Sequence, residues 1–403
     1  MLAQPNAGFL SVARDGTIGS DVTLSGTCRR ASMQSIKQHF SGVARHEWPA
    51  LAWSFAYFFF LLSGYYMLRP LRDALAAEVG AKNLSSMFGA TFLIMLAIVP
   101  IFGWLTSRFP RRQWLPACVA FFVLNLLGFY FAWRWRVSLD VVALIFFVWL
   151  TVYVMFVVSV FWSFMADLFS ADQAKRLYGF IAAGGTVGAL VGSKLTALLA
   201  ERIGSANLIM VAAVLLALTL VCIWRLLAWQ RRLKVNAGLT SGVTVGAGAG
   251  ASTAAAPAVA PEAKVGGGVL AGMREVAKSR YLQGICLYVF LYTVLTTVLY
   301  VQQADLLKRE YPNIDARTAL LGDLAFIVNL IALVLQMFAF KPLANRFGVT
   351  ALLAGVPLLS LIGFAALAWS PTLTVLMMFG VLRSAAEYSL AKPARESLFN
   401  PLS

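Results

Sequence analysis

The sequence predicts an all-α polytopic membrane protein with ten spanning helices, six and then four, read as two pseudo-repeat halves. Composition is the first observation. Hydrophobic residues make up 60% of the 403-residue chain and charged residues 12%, about half the charged fraction of a soluble domain, and the mean hydropathy is +0.78. Second, the apolar residues are gathered into stretches near the roughly 20 residues that a helix needs to cross about 30 Å of hydrocarbon. Third, the basic residues behind the formal net charge of +16 lie between those stretches, as the positive-inside rule expects. Hydrocarbon offers no water to backbone amides, so each span must close its own hydrogen bonds as a helix.

Taken in order, residues 1–44 are polar and small, carry Asp15 and Asp21, and contain no continuous apolar core of a secretory signal. They read as a disordered extension or the product of a start codon assigned too early. Six spans follow, at about 50–68, 87–106, 114–133, 141–166, 178–200 and 206–227, making residues 45–229 a first six-helix bundle. The fifth carries Gly184, Gly188 and Gly192, the small-xxx-small stripe that lets two helices touch. Residues 230–268 are rich in Gly, Ala, Ser and Pro and hold no aromatic residue, which predicts a flexible cytoplasmic linker. Spans at 281–303, 319–340, 349–369 and 372–391 place four helices of a second bundle in residues 269–403.

The Lys and Arg bias orients the chain. With the N-terminus in the cytoplasm, the inner segments hold Arg29, Arg30, Lys37 and Arg45, then Arg108, Arg111 and Arg112, then Lys175 and Arg176, then Arg231, Arg232 and Lys234, and finally Lys341 and Arg346. The outer segments hold fewer, so a multi-pass protein of the inner (plasma) membrane is expected. Positive charge spread this way argues against nucleic acid as a partner. Cys28, Cys118, Cys222 and Cys286 are far apart, and His39 and His46 flank the first span. No metal-ligand spacing, disulfide framework or nucleophile–His arrangement results, so neither a metal, a cofactor nor an enzyme is expected.

The halves repeat. The run from Phe102 to Leu115 aligns without gaps with the run from Phe340 to Leu353, sharing Phe, Leu, Arg-Phe and Leu. Met165-Ala166-Asp167 and Ala385-Ala386-Glu387 match loosely after the fourth and tenth spans. Parallel repeats of this kind are a transporter pattern. The loop from Gly103 through Arg108, Arg111 and Arg112 resembles the G-x-L-x-D-R-x-G-R-R signature of the major facilitator superfamily, with Ser107 at the Asp position and Pro110 at the second Gly. Gly103 is expected to allow close helix approach, and Arg108, Arg111, Arg112 and the repeated Arg346 to meet helix-terminal carbonyls and anionic lipid. A narrower resemblance covers residues 45–200. The segments Tyr65–Leu75, Phe161–Phe169 and Ala174–Gly188 are similar to the nucleotide exchange transporters, the ATP/ADP translocase family. That resemblance implies a major-facilitator-type bundle and antiport of nucleoside triphosphate against diphosphate. It also implies twelve helices; ten are found, so the second bundle reads as truncated.

Ionisable residues inside spans are costly and face a cavity or a partner. Arg383 lies mid-span with Glu387 four residues on, a spacing that lets them pair. Lys194 lies within the fifth span and is expected to contribute more to solute binding than Lys82. The run Gly188–Lys194 lacks the Gly-Lys-Ser/Thr order of a phosphate loop. Arg69, Arg72 and Asp73 close the first span around Pro70, which should weaken the helix there. Asp305 ends the seventh span and Asp323 begins the eighth. Asp167 with Lys175 and Arg176 reads as a cytoplasmic charge latch. The expected site therefore joins the cations Arg69, Arg72, Lys194 and Arg383, which offset an anionic solute, to the acids Asp73, Asp167, Asp305, Asp323 and Glu387, which gate or couple an ion.

Taken together, the residues read as a secondary active transporter working by alternating access, exchanging nucleotides or a similar anionic solute, with a monomer in the bilayer as the expected form. The alternatives are a proton-coupled major facilitator carrier of another small molecule and a non-transporting membrane scaffold or sensor.

Overall fold

A computed structural model describes residues 47–108, 111–242 and 276–397, entirely as helices joined by short turns. The N-terminal extension, most of the expected linker and residues 109 and 110 lie outside the described residues, as do the side chains of Arg108, Arg111 and Arg112. The helices are α1 (Trp48–Val79), α2 (Ala81–Arg108), α3 (Arg111–Arg134), α4 (Leu139–Leu168), α5 (Ala171–Ile203), α6 (Ser205–Gly242), α7 (Arg280–Glu310), α8 (Ile314–Phe338), α9 (Phe340–Trp369) and α10 (Leu373–Ala386). A π-helical turn, Glu387–Ala391, and a short α11, Lys392–Ser397, continue α10. Among the described residues, ten helices are long and apolar enough to cross a membrane.

Most helices outrun the expected spans. Helix α6 continues to Gly242, past the boundary expected at residue 229. Helix α1 continues to Val79 straight through Pro70. The proline withholds one amide from the Tyr66 carbonyl, yet it is buried and the helix holds. Arg69, Arg72 and Asp73 therefore lie inside the helix rather than closing it. Helix α9 breaks where the sequence begins its ninth span: Gly348 takes φ +77, a conformation open to glycine and strained for side chains.

Local signals fix the helix starts. Ser170 caps α5 in a reciprocal box, accepting from the Gln173 amide at 3.4 Å while its own amide donates to Gln173 Oε1 at 3.0 Å. Ser279, Asn313 and Thr372 accept from backbone amides at the starts of α7, α8 and α10.

Helices α1, α3, α4, α5 and α6 share one core, while Leu84 and Met87 of α2 pack in a smaller cluster with Ala76, Ala77, Phe147 and Ala304. Helix α1 runs through the middle of the shared core, with Tyr57, Leu61, Met67, Leu68 and Leu71 fully buried, and Phe58 stacks on Phe161 of α4 at 4.3 Å between centroids. Helix α5 lies directly on α1. A Cβ at Gly184, Gly188 or Gly192 would overlap the carbonyl oxygen of Phe55, Phe59 or Ser63 respectively, which is the close approach the glycine stripe predicts.

The second set joins the first chiefly through α8. At Gly322, a Cβ would lie 2.8 Å from the Ala197 nitrogen of α5. Up-and-down alternation brings the ends of α1, α5 and α7 and the starts of α6 and α8 to one end of the bundle. There, Arg317 of α8, wholly buried, pairs with Glu78 of α1. Lys308 of α7 donates to the Glu78 carbonyl at 2.5 Å, Asp315 accepts from the Ser205 amide at 2.7 Å, and Ser205 bonds Thr318 at 3.3 Å. Toward the other end, the beginning of α7 exposes Leu287 and Phe290. The two sets are thus strapped together at one end.

Candidate functional site

Between the two sets lies a cavity of about 550 Å³, walled by α1, α2 and α4 on one side and α7, α8 and the α10 segment on the other. Its charged lining residues are Arg69, Arg72 and Asp73 from α1, and Arg383 and Glu387 from the last span. Arg69 donates to the Tyr388 hydroxyl at 3.2 Å, a bond from one set of helices to the other. Its guanidinium also lies 6.0 Å from the Tyr66 ring centroid. Arg72 is held by its neighbour: Nε and Nη2 both donate to Asp73 Oδ1, at 2.9 and 2.7 Å. The Tyr300 hydroxyl of α7 donates to the same oxygen at 2.9 Å. Arg72 also sits over the Phe147 ring at 5.0 Å, a cation–π contact.

Arg383, 5% exposed, donates to Thr296 Oγ1 of α7 at 3.1 Å and lies over the Tyr292 ring at 5.4 Å. The expected Arg383–Glu387 pair is not formed. Glu387 pairs instead with Arg395 of α11 at 3.5 Å. The backbone between them is α-helical, the Glu387 amide donating to the Arg383 carbonyl, so the pair is lost through the other partners that each side chain takes, Thr296 and Tyr292 for Arg383 and Arg395 for Glu387. Arg383 Nε and Glu387 Oε2 are buried without a hydrogen-bond partner. Two buried, half-satisfied charges in one cavity wall mark it as built to receive something polar.

The other expected site residues lie elsewhere. Lys194 does not line the cavity; it pairs with Asp323 of α8 at 2.8 Å, both side chains half-exposed, and contacts the Phe326 ring. Gly192, facing α1, turns Lys194 away from the first set and toward α8. This pair adds to the inter-set fastening, beside a bond from Asn329 to Ser193 at 3.3 Å. Exchanging the charges (Lys194→Asp with Asp323→Lys) should restore most of the thermal stability lost in either single variant. No recovery in a melting curve would remove the pair from the fastening.

Asp305 pairs within its own helix, with Arg309 at 2.6 Å, rather than reaching the cavity. Asp167 is exposed at the end of α4. The latch partners named with it bond elsewhere: Lys175 to Asp172 at 3.7 Å and Arg176 to Glu47 at 3.5 Å, with Gln173 donating to the same Glu47 carboxylate at 2.7 Å. Gly103 is exposed, and no described atom lies within 4 Å of a Cβ built there. Arg346 is exposed on the first piece of α9, over the Phe347 ring.

Several site residues carried no signal that was read. Tyr300, Tyr388 and Thr296 reach the cavity by pairings 227, 319 and 87 residues apart in sequence. By sequence Arg317 is one cation of an outer segment and Glu78 one acid beyond the first expected span. Glu78 sits one residue before the end of α1, and its placement beside two cations of the opposite set emerges only in three dimensions.

Two family comparisons match the chain. Residues 130–379, more than half of it, match the model described as TLC ATP/ADP transporter. Residues 16–193 match that of the Major Facilitator Superfamily. No curated protein matches it.

Proposed function

Because the chain belongs to the TLC ATP/ADP transporter family, we propose that this multi-pass membrane protein is a secondary carrier, rather than an enzyme, for a phosphate-bearing anion of the nucleotide class. The observation that carries the reading is the cavity between the two helix sets, with Arg69 on one wall and Arg383 on the other. Guanidinium forks suit phosphate oxygens. Tyr66 and Tyr292 beside them offer aromatic faces, and a volume of about 550 Å³ falls within the range of small-molecule sites. A solute bridging Arg69 and Arg383 would couple the two sets, which is what alternating access requires. The Lys and Arg bias supports an N-terminus on the cytoplasmic side of the inner membrane, which would put the strapped end outside.

Counterflow tests the exchange. Vesicles containing the full chain and preloaded with unlabelled AMP, ADP or ATP should take up the same labelled nucleotide faster than empty vesicles for at least one of the three. Equal uptake in every case would remove the exchange reading. Arg69→Gln and Arg383→Gln should each weaken binding about tenfold or more, the worth of a charged hydrogen bond, while Lys175→Ala at the exposed end of α5 leaves it unchanged. Glu387 favours one second reading: a buried carboxylate with an unpartnered oxygen supports proton coupling. Uptake driven by a pH gradient into vesicles without counter-solute would select that reading over exchange.

A further inference from the structure

We propose that Tyr388 is a positioning residue that aims Arg69 at a solute phosphate, and does so only while the two helix sets stand as they do here. The inference rests on the phosphate-carrier reading and deepens it. The three arginines of the cavity are held in three ways. Arg72 spends Nε and Nη2 on Asp73 Oδ1, so the neighbouring carboxylate already occupies one edge of its guanidinium. Arg383 is held by Thr296 and the Tyr292 ring, both on α7 of its own set. Arg69 instead donates Nη2 to a neutral group across the cavity, the Tyr388 hydroxyl, at 3.2 Å. Tyr388 lines the cavity from the opposite set. It lies in the π turn Glu387–Ala391, an element frequent at functional sites.

A guanidinium carries its N–H donors in a planar fork with two-donor edges. One Nη2 hydrogen of Arg69 goes to Tyr388, and whichever it is, one complete edge is left for phosphate. The hydroxyl thus fixes the plane of the fork without using it up. The other contact, with the Tyr66 ring of the same helix at 6.0 Å, is at the limit of a cation–π interaction. Without Tyr388 the side chain would swing about its stem, and ordering it would weaken solute binding. The two anchors differ in a second respect. Thr296 moves with Arg383, since both belong to one set. Tyr388 does not move with Arg69, so any rocking that parts α1 from the last span breaks their bond. Arg383 therefore keeps its aim through a transport cycle, while Arg69 loses it when the sets part. A solute is gripped from both walls in one arrangement and from one wall in the other, which favours its release there.

ADP binding to the purified full chain tests the aim. Tyr388→Phe removes one hydroxyl from a half-buried ring and should weaken binding by about fivefold, the effect of leaving one long side chain to be ordered by the ligand. In an Arg69→Gln background the same change should alter Kd by less than about twofold, because no fork is left to aim. In an Arg383→Gln background the loss of about fivefold should return. A full loss in the Arg69→Gln background would show that Tyr388 acts by packing or by touching the solute itself, and would overturn the proposal. So would tighter binding in Tyr388→Phe, which would make the hydroxyl a competitor of phosphate for Arg69. Either result leaves the phosphate carrier intact, whereas no binding of AMP, ADP or ATP to the unaltered chain would overturn both. Oriented vesicles test the state dependence. Half-saturating ADP for counterflow should differ between the two faces of the unaltered chain, and the difference should shrink in Tyr388→Phe. A difference that Tyr388→Phe leaves unchanged would overturn the state dependence.

Discussion

Glu78→Ala is expected to lower stability by about 3 kcal/mol, near the bottom of the range for removing one partner of a buried ion pair. The cost falls on what remains. Arg317 is wholly buried and has Glu78 as its ion-pair partner. Without that carboxylate, its guanidinium keeps the Pro312 carbonyl at 3.2 Å and a long contact to the Ala74 carbonyl at 3.5 Å. Those dipoles hold the loss at the low end. Lys308→Ala touches the same carboxylate from a half-exposed position, 3.7 Å away, and should cost less than about 1 kcal/mol. Replacing both buried partners, as in Glu78→Leu with Arg317→Met, should regain most of the loss, because an apolar pair leaves no stranded charge. Thermal unfolding of the detergent-solubilised protein, followed by tryptophan fluorescence, reads all three. A Glu78→Ala loss no larger than that of Lys308→Ala would show that the strap does not hold the two sets together.

The second large effect is steric. Gly192→Leu and Gly188→Leu should each abolish the native packing of α5 on α1, at a cost above the ~1–3 kcal/mol usual for overpacking. In an ordinary overpacked core a neighbouring side chain can rotate away. Here the overlapping atoms are the backbone carbonyls of Ser63 and Phe59, so relief requires moving α1 itself, with most of the first core attached to it. Gly284→Leu is the control: nothing lies within 4 Å of a Cβ there, and the change should be tolerated. Yield of folded protein and melting temperature distinguish the cases. A Gly192→Leu protein that melts with the unaltered chain would mean the two helices are not in backbone contact.

Hydropathy alone was enough for the class and the number of spans, because a bilayer demands the same length and closed hydrogen bonding from every crossing. The ends were harder. Arg69, Arg72 and Asp73 looked like the edge of the membrane because charge normally marks it. In fact Asp73 neutralises Arg72 within α1, Tyr300 of α7 donates to the same carboxylate oxygen, and the helix carries on to Val79. Arg383 stood out for the sound reason that a mid-span guanidinium is rare. Its helical neighbour Glu387 was legible too, but not the partners each side chain takes instead, Thr296 from another helix and Arg395 from the helix beyond. Lys194 shows the limit most plainly. Its depth was legible, but the face it shows to α8 is set by the glycines two and six residues earlier, which bind the opposite face to α1.

The fastening of the two sets at one end makes the molecule a pair of tongs. Helix α1 has 32 residues and is therefore about 48 Å long. A tilt of about 5° around its strapped end would carry the far tip by about 4 Å, yet shift atoms one or two turns from the strap by only about 1 Å. The aperture through which a solute enters can thus vary widely while the pins at Glu78, Ser205 and Lys194 stay closed.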